Sequence, residues 1–122
     1  MIGGGVHLGE DSASCIEREV YEETGVKCSV VRPAVICENF FVGSDGKIDG
    51  KDCHVLEFYY LMEAPEDALF RTMTDEGEEL VWLPVDELDK YDIRPVCVKE
   101  NIPRVIGGEA LIHVINDDRK KA

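Results

Sequence analysis

Glu19, Glu22 and Glu23 stand close enough in sequence to act as one chemical group. On a helical wheel stepping about 100° per residue, Glu23 falls about 40° to one side of Glu19 and Glu22 about 60° to the other. The three carboxylates therefore share one helical face. Ala13, Ile16, Val20 and Thr24 fall on the adjoining flank, the stripe such a helix would bury. The spacing predicts a helix with marked ends: Asp11 or Ser12 as the N-cap and Gly25 as the left-handed C′ residue. The charges are badly placed for the helix alone. Glu22 and Glu23 lie in the last turn, where the macrodipole opposes anions by roughly 0.3–1 kcal/mol each. The pairs Glu19/Glu22 and Glu19/Glu23 add like-charge repulsion of about 0.2–0.5 kcal/mol each. Arg18 relieves part of this through an i, i+4 contact with Glu22. A hard divalent cation taking oxygen ligands would remove the rest, whereas a merely solvated acidic face is the plain alternative.

The order of residues around these glutamates decides between the two. Gly4, Glu10, Arg18, Glu19, Val20, Glu22, Glu23, Gly25 and Val26 fill every fixed slot of the pattern G-x5-E-x7-R-E-U-x-E-E-x-G-U, with U a bulky aliphatic residue. Seven of those slots demand a single residue type at a background of roughly one in twenty each, so chance agreement is negligible. The segment resembles the signature of the Nudix hydrolases. That resemblance implies Mg²⁺ or Mn²⁺ bound against a diphosphate, with water attacking one phosphorus of a nucleoside diphosphate linked to another group. By position, Glu19 and Glu23 match the principal metal ligands, Glu22 the supporting one, and Gly3 the residue whose carbonyl often completes the shell. Arg18 matches the arginine that orients the glutamates and Glu10 its partner, while Gly4 and Gly25 support the signature loop. Positioning and charge neutralisation are what phosphoryl chemistry chiefly needs, and metal ions supply both. The general base varies within the family, so Glu19, Glu22 or a glutamate from a later loop are the candidates.

Composition bounds the rest. A chain of 122 residues with 44% hydrophobic content reads as a single domain with one core. A net charge of −13 repels nucleic acid backbones and anionic membranes, so phosphate chemistry here needs a metal. Five cysteines without paired short spacings argue against a disulfide framework or a zinc site and point to reduced thiols in the cytoplasm. The glycine-rich start does not read as a secretory leader, and no apolar run approaches membrane-spanning length. The expected partner is a small nucleotide.

The resemblance also implies strands ahead of the signature, where this sequence offers only Met1 and Ile2. Either Met1 is an internal methionine or the domain lacks those strands. The expected fold is an α/β Nudix-type α/β/α sandwich on a mixed sheet, N-terminally truncated, with exposed sheet edges. Such edges invite pairing, so a poorly stable chain or an intertwined homodimer is expected.

Further along, residues 27–41 read as extended chain with Pro33 at a bend or edge. Residues 43–50 are dense in turn formers, and residues 53–64 read as a second strand, the pair forming a hairpin with a long mobile connection. His54 is a candidate substrate contact set against a structural role. Phe40, Phe41, Tyr59 and Tyr60 read as core or sheet residues, and only one of the two tyrosines can face a pocket. Residues 79–83 read as a strand behind an acidic loop that resembles the family's source of a further glutamate. Glu76, Glu78 and Glu79 are the candidates, with Glu76 favoured. Pro84 opens a helical turn, Pro95 opens a helix over residues 96–101, and Pro103 ends or bends it. Residues 110–116 alternate as a last strand with His113 structural, and residues 117–122 read as a frayed tail.

Substrate choice is less legible. The proline of ADP-ribose members and the tyrosine of dinucleoside polyphosphate members are both missing around Val42, Gly43 and Ser44. The resemblance then leans towards a nucleoside triphosphate or another nucleotide derivative. A catalytically silent Nudix module binding a nucleotide or a partner protein is the main alternative, and an acidic cation-binding domain without nucleotide chemistry is a distant third.

Overall fold

The computed structural model describes residues 1–70, 72–74 and 76–119. Contacts divide the chain into two units. One comprises Met1–Arg32 with Tyr60–Tyr91, the other Pro33–Tyr59 with the described part of the chain from Asp92 onward.

The first unit is built on helix α1, Ser12–Thr24. Its sequence holds neither glycine nor proline, and each end stops for a local reason. The Asp11 carboxylate accepts from the Ser14 amide at 2.8 Å, and Gly25 at φ 72° donates its N–H to the Tyr21 carbonyl at 2.8 Å. Cys15, Val20 and Thr24 are the buried residues of α1, and Ala13 and Ile16 are half-buried. The buried stripe is thus shifted towards Cys15, which lies beneath the glycine loop with its thiol near the Gly4 and Gly5 carbonyls. Covering Val20 contributes about 1.5–2 kcal/mol. Thr24 is buried and polar but satisfied, donating to the Val20 carbonyl and accepting from the Val26 amide. Two further bonds fix the helix. The Glu17 carboxylate accepts from the Val30 amide at 2.9 Å, and Ser12 Oγ is hydrogen-bonded to the Tyr60 hydroxyl. A cavity of about 280 Å³ borders the buried flank, lined by Val20, Thr24, Met62, Leu80 and Trp82 among others.

The second unit holds most of a three-stranded sheet. Strand β1 spans Ser29–Val42, β2 Asp52–Glu63 and β3 Ile112–Asp117, in the order β2-β1-β3. β1 and β3 are parallel, in register from Val35 against Ile112 to Phe40 against Asp117. The connection between β1 and β2 is too short for a parallel crossover, so the sheet is mixed. Pro33 precedes the first β1–β3 pair, where its missing N–H costs no ladder bond on that side. Helices α2, Val96–Lys99, and α3, Ile102–Ile106, supply Val98 and Val105 to a core shared with Ala34, Val35, Cys37 and Ile112. α2 packs against β3.

Four expectations change. The connection after β1 is closed on itself: the Gly43 amide donates to the Lys51 carbonyl and the Gly50 amide to the Gly43 carbonyl, both at 2.9 Å, around a 3₁₀ turn at Gly46–Ile48. Residues 79–83 do not form a strand. Only an isolated bridge joins Met73 to Glu79, because no neighbouring strand among the described residues pairs with the stretch, and Val81 and Trp82 remain exposed. Pro103 begins α3 instead of ending a helix, since its missing N–H falls among the unpaired amides of the first turn. Asp117 belongs to β3, the Asp118 amide donates to the Phe40 carbonyl, and the Arg119 guanidinium lies 4.4 Å from the Phe40 ring centre. The rest of the segment read as a tail, residues 120–122, lies outside the described residues.

Candidate functional site

The glycine loop and α1 make one electrostatic unit, with Arg18 at its centre. Arg18 reaches back eight residues to Glu10 with a forked contact: Nε to Oε2 at 2.8 Å and Nη2 to Oε1 at 3.0 Å. Its Nη1 donates to Glu19 at 3.0 Å and to Glu22, one turn on, at 3.1 Å. Its Nη2 also lies within reach of the Gly5 carbonyl. The guanidinium therefore ties the loop to the helix and fixes two of the three signature carboxylates. Glu10 is held from the other side as well, accepting from the His7 amide at 3.1 Å. The Arg18 hydrogen bonds, and then that amide, hold its carboxyl down at about 2.

Gly4 has a steric reason in this arrangement. A Cβ built on it would overlap the Glu19 carboxyl group, so the loop backbone can lie against that carboxylate only where the side chain is a hydrogen. Glu19 is accordingly the most enclosed of the three, with a side chain 15% exposed against 55% for Glu22. Gly3 is exposed, and its carbonyl makes no hydrogen bond among the described residues.

Glu23 behaves differently. It has no ion pair among the described residues, and desolvation followed by the charges of Glu19 and Glu78 pushes its carboxyl above the usual value. Around one arginine, then, stand Glu10, Glu19 and Glu22, and beside them a fourth carboxylate that is electrostatically opposed. As the side chains stand, no group of three His, Cys, Asp or Glu residues among the described ones is arranged to hold a metal ion. The reason is visible in the contacts, since Glu19 and Glu22 are turned onto Arg18. The donor set nevertheless fits a hard divalent cation: all oxygen, net negative after pairing, and packed against a loop that only glycine permits.

Of the later glutamates, Glu76 and Glu78 flank Gly77 in a tight turn. The Thr74 amide donates to the Glu78 carbonyl at 2.7 Å, and the Glu78 amide to Thr74 Oγ1 at 2.9 Å. Glu78 is the one whose charge Glu23 feels. Nothing in the sequence separates Glu78 from Glu76. His54 lies in the second unit. Its Nε2 is 3.2 Å from Glu38, and its ring stacks on Phe40 with centroids 4.1 Å apart. Cys15 was not foreseen as part of the site; its place four residues before Glu19 is the signal that would have shown it.

No helix among the described residues is long and apolar enough to cross a membrane. A comparison with curated proteins returns no match. The family model described as NUDIX domain matches residues 1–101, a span that contains the loop, α1, β1, β2 and α2 and stops before α3 and β3. The family's chemistry is of the pyrophosphohydrolase type, acting on phosphoric anhydrides with divalent metal ions. With that match over most of its length, and with Arg18 joining Glu10, Glu19 and Glu22 through the residues of the signature, this chain belongs to the NUDIX domain family.

Proposed function

We propose that this protein is a Mg²⁺- or Mn²⁺-dependent hydrolase that cleaves a pyrophosphate bond in a nucleoside diphosphate linked to another moiety, a nucleoside triphosphate or other nucleotide derivative. The observation that carries the reading is the charge imbalance of the loop and α1: three carboxylates, Glu10, Glu19 and Glu22, share the Arg18 guanidinium, and Glu23 beside them has no ion pair among the described residues. Glu19, Glu22, Glu23 and the Gly3 carbonyl would hold the cation. Bound there, the cation supplies charge neutralisation for the anhydride oxygens. Arg18 positions Glu19 and Glu22, and Glu10 positions Arg18, so the loop and helix keep their geometry when substrate binds. Glu78, near enough to act on Glu23, joins Glu76 as a candidate for accepting the proton of the attacking water.

The test is a screen of nucleoside triphosphates and nucleoside diphosphate derivatives with Mg²⁺, on the wild type and on Glu23→Gln. Turnover in the wild type, reduced by at least about 100-fold in the variant with an unchanged circular dichroism spectrum, is expected. Equal turnover in both excludes the metal role of Glu23.

One observation favours a second reading, a silent module that binds a nucleotide without cleaving it: Arg18 already occupies Glu19 and Glu22. Calorimetry separates the two readings. Mg²⁺-dependent nucleotide affinity with no product after prolonged incubation supports the silent module.

A further inference from the structure

Cys37 and Cys97 stand 60 residues apart in sequence, yet their sulfur atoms lie 4.0 Å apart in the second unit. Cys37 is on the central strand β1 and is fully buried, while Cys97, on α2, is half-buried. The site has two more polar members. The Glu57 carboxylate stands close enough to raise the Cys37 thiol, and the Tyr59 hydroxyl donates to Glu57 at 3.2 Å. The surrounding core is otherwise made of valine, alanine and isoleucine.

We propose that Cys37 and Cys97 form a reversible redox pair, which a peroxide closes to a disulfide tying α2 to the sheet, with Glu57 taking up the proton of Cys37. The roles follow from access and ionisation. Burial and the neighbouring Cys97 push the Cys37 thiol up to about 12, so it remains protonated and does not start the reaction. Cys97, the more accessible sulfur, attacks hydrogen peroxide. An S–O bond forms, the O–O bond breaks, and the departing hydroxide combines with the Cys97 proton as water. Cys37 then passes its proton to Glu57 while its sulfur attacks the Cys97 sulfur. The S–S bond forms, the S–O bond breaks, and hydroxide leaves as a second water on recovering that proton. Two thiols lose two electrons and one peroxide gains them. A dithiol reductant reverses the change by exchange.

The contraction needed is modest, from 4.0 Å to a bonded separation of about 2 Å. The new link closes a loop of 60 residues, and α2, only four residues long, gains a covalent anchor. The thermal midpoint of the oxidised chain is expected to rise by about 5 °C.

The experiment treats the full folded chain with hydrogen peroxide, blocks free thiols, and maps peptides without reduction. A Cys37–Cys97 linked peptide as the main product, lost on adding dithiothreitol and accompanied by the rise in midpoint, is the expected result. Sulfinic acid at Cys97, a link between other cysteines, or both thiols left free overturns the proposal. Cys97→Ser leaves the buried Cys37 in place, so folding is kept, and Cys37 should then form no link. A link from Cys37 to another cysteine in that variant also overturns it. In Glu57→Gln the sulfenic acid at Cys97, trapped with dimedone, should persist about tenfold longer. An unchanged lifetime removes Glu57 from the mechanism.

Discussion

The molecule contains two carboxylate centres of opposite design. In the first unit one cation, Arg18, is shared by Glu10, Glu19 and Glu22, and Glu23 stands beside them without a partner among the described residues. In the second unit one carboxylate, Glu38 on the central strand, is shared by two imidazoles on the flanking strands: His113 at 2.8 Å and His54 at 3.2 Å. The Glu38 centre has a hydrogen-bond partner on each carboxylate oxygen, and it joins the three strands. The Arg18 centre leaves negative charge over. A network in which each group has a partner holds elements of the fold together; one that leaves a carboxylate over has an oxygen donor to offer. The two centres thus differ in whether every carboxylate has a partner among the described residues.

Substitutions at the two centres should therefore fail differently. Arg18→Ala would release Glu10, Glu19 and Glu22 together, and hydrolysis is expected to fall by about 100-fold with weaker Mg²⁺ dependence, measured as the Mg²⁺ concentration for half-maximal rate. Gly4→Ala places a methyl group where the Glu19 carboxyl lies. The carboxyl is the free end of a flexible side chain and can swing aside, so the thermal midpoint should hold while the rate falls by about tenfold. Saturating Mg²⁺ should raise the midpoint of the wild type by about 5 °C in scanning calorimetry and leave that of Glu23→Gln nearly unmoved. If Mg²⁺ stabilises both proteins equally, the distinction between the two centres is broken.

The smallest effect concerns Glu38. Hydrogen bonding, first to His113, lowers its carboxyl below the ordinary 4.5. A group whose folded value is depressed stabilises fully above the unfolded value and loses that contribution as pH falls through the folded one. Melts between pH 7 and pH 3 should therefore show the wild type losing slightly more stability below about pH 4.5 than Glu38→Gln, a difference of about 2 °C given the exposure of the pair. Hydrolysis at pH 7 should be the same in both.

Legibility followed sequence distance. The helix, its Gly25 cap, an N-cap at Asp11 or Ser12, which the structure gives to Asp11, and the Arg18–Glu22 contact were readable, since each rests on partners within four residues. The Glu10–Arg18 fork came from the signature and is realised by a loop that Gly9, at φ 84°, helps to turn. Failure began where a segment depended on a distant neighbour. Residues 79–83 have the composition of a strand but no strand beside them among the described residues. The Cys37–Cys97 approach has no local sign at all, because it arises from packing α2 against the sheet.

The sequence by itself determined the helix, its glutamate face and the pattern that places the chain in its family, because an α-helix converts spacings of three and four into neighbours without help from the rest of the fold. Only the tertiary structure decided that Glu38 would clamp three strands and that two distant thiols would meet. Those contacts are made between segments whose separation along the chain says nothing about distance until the core has closed around them.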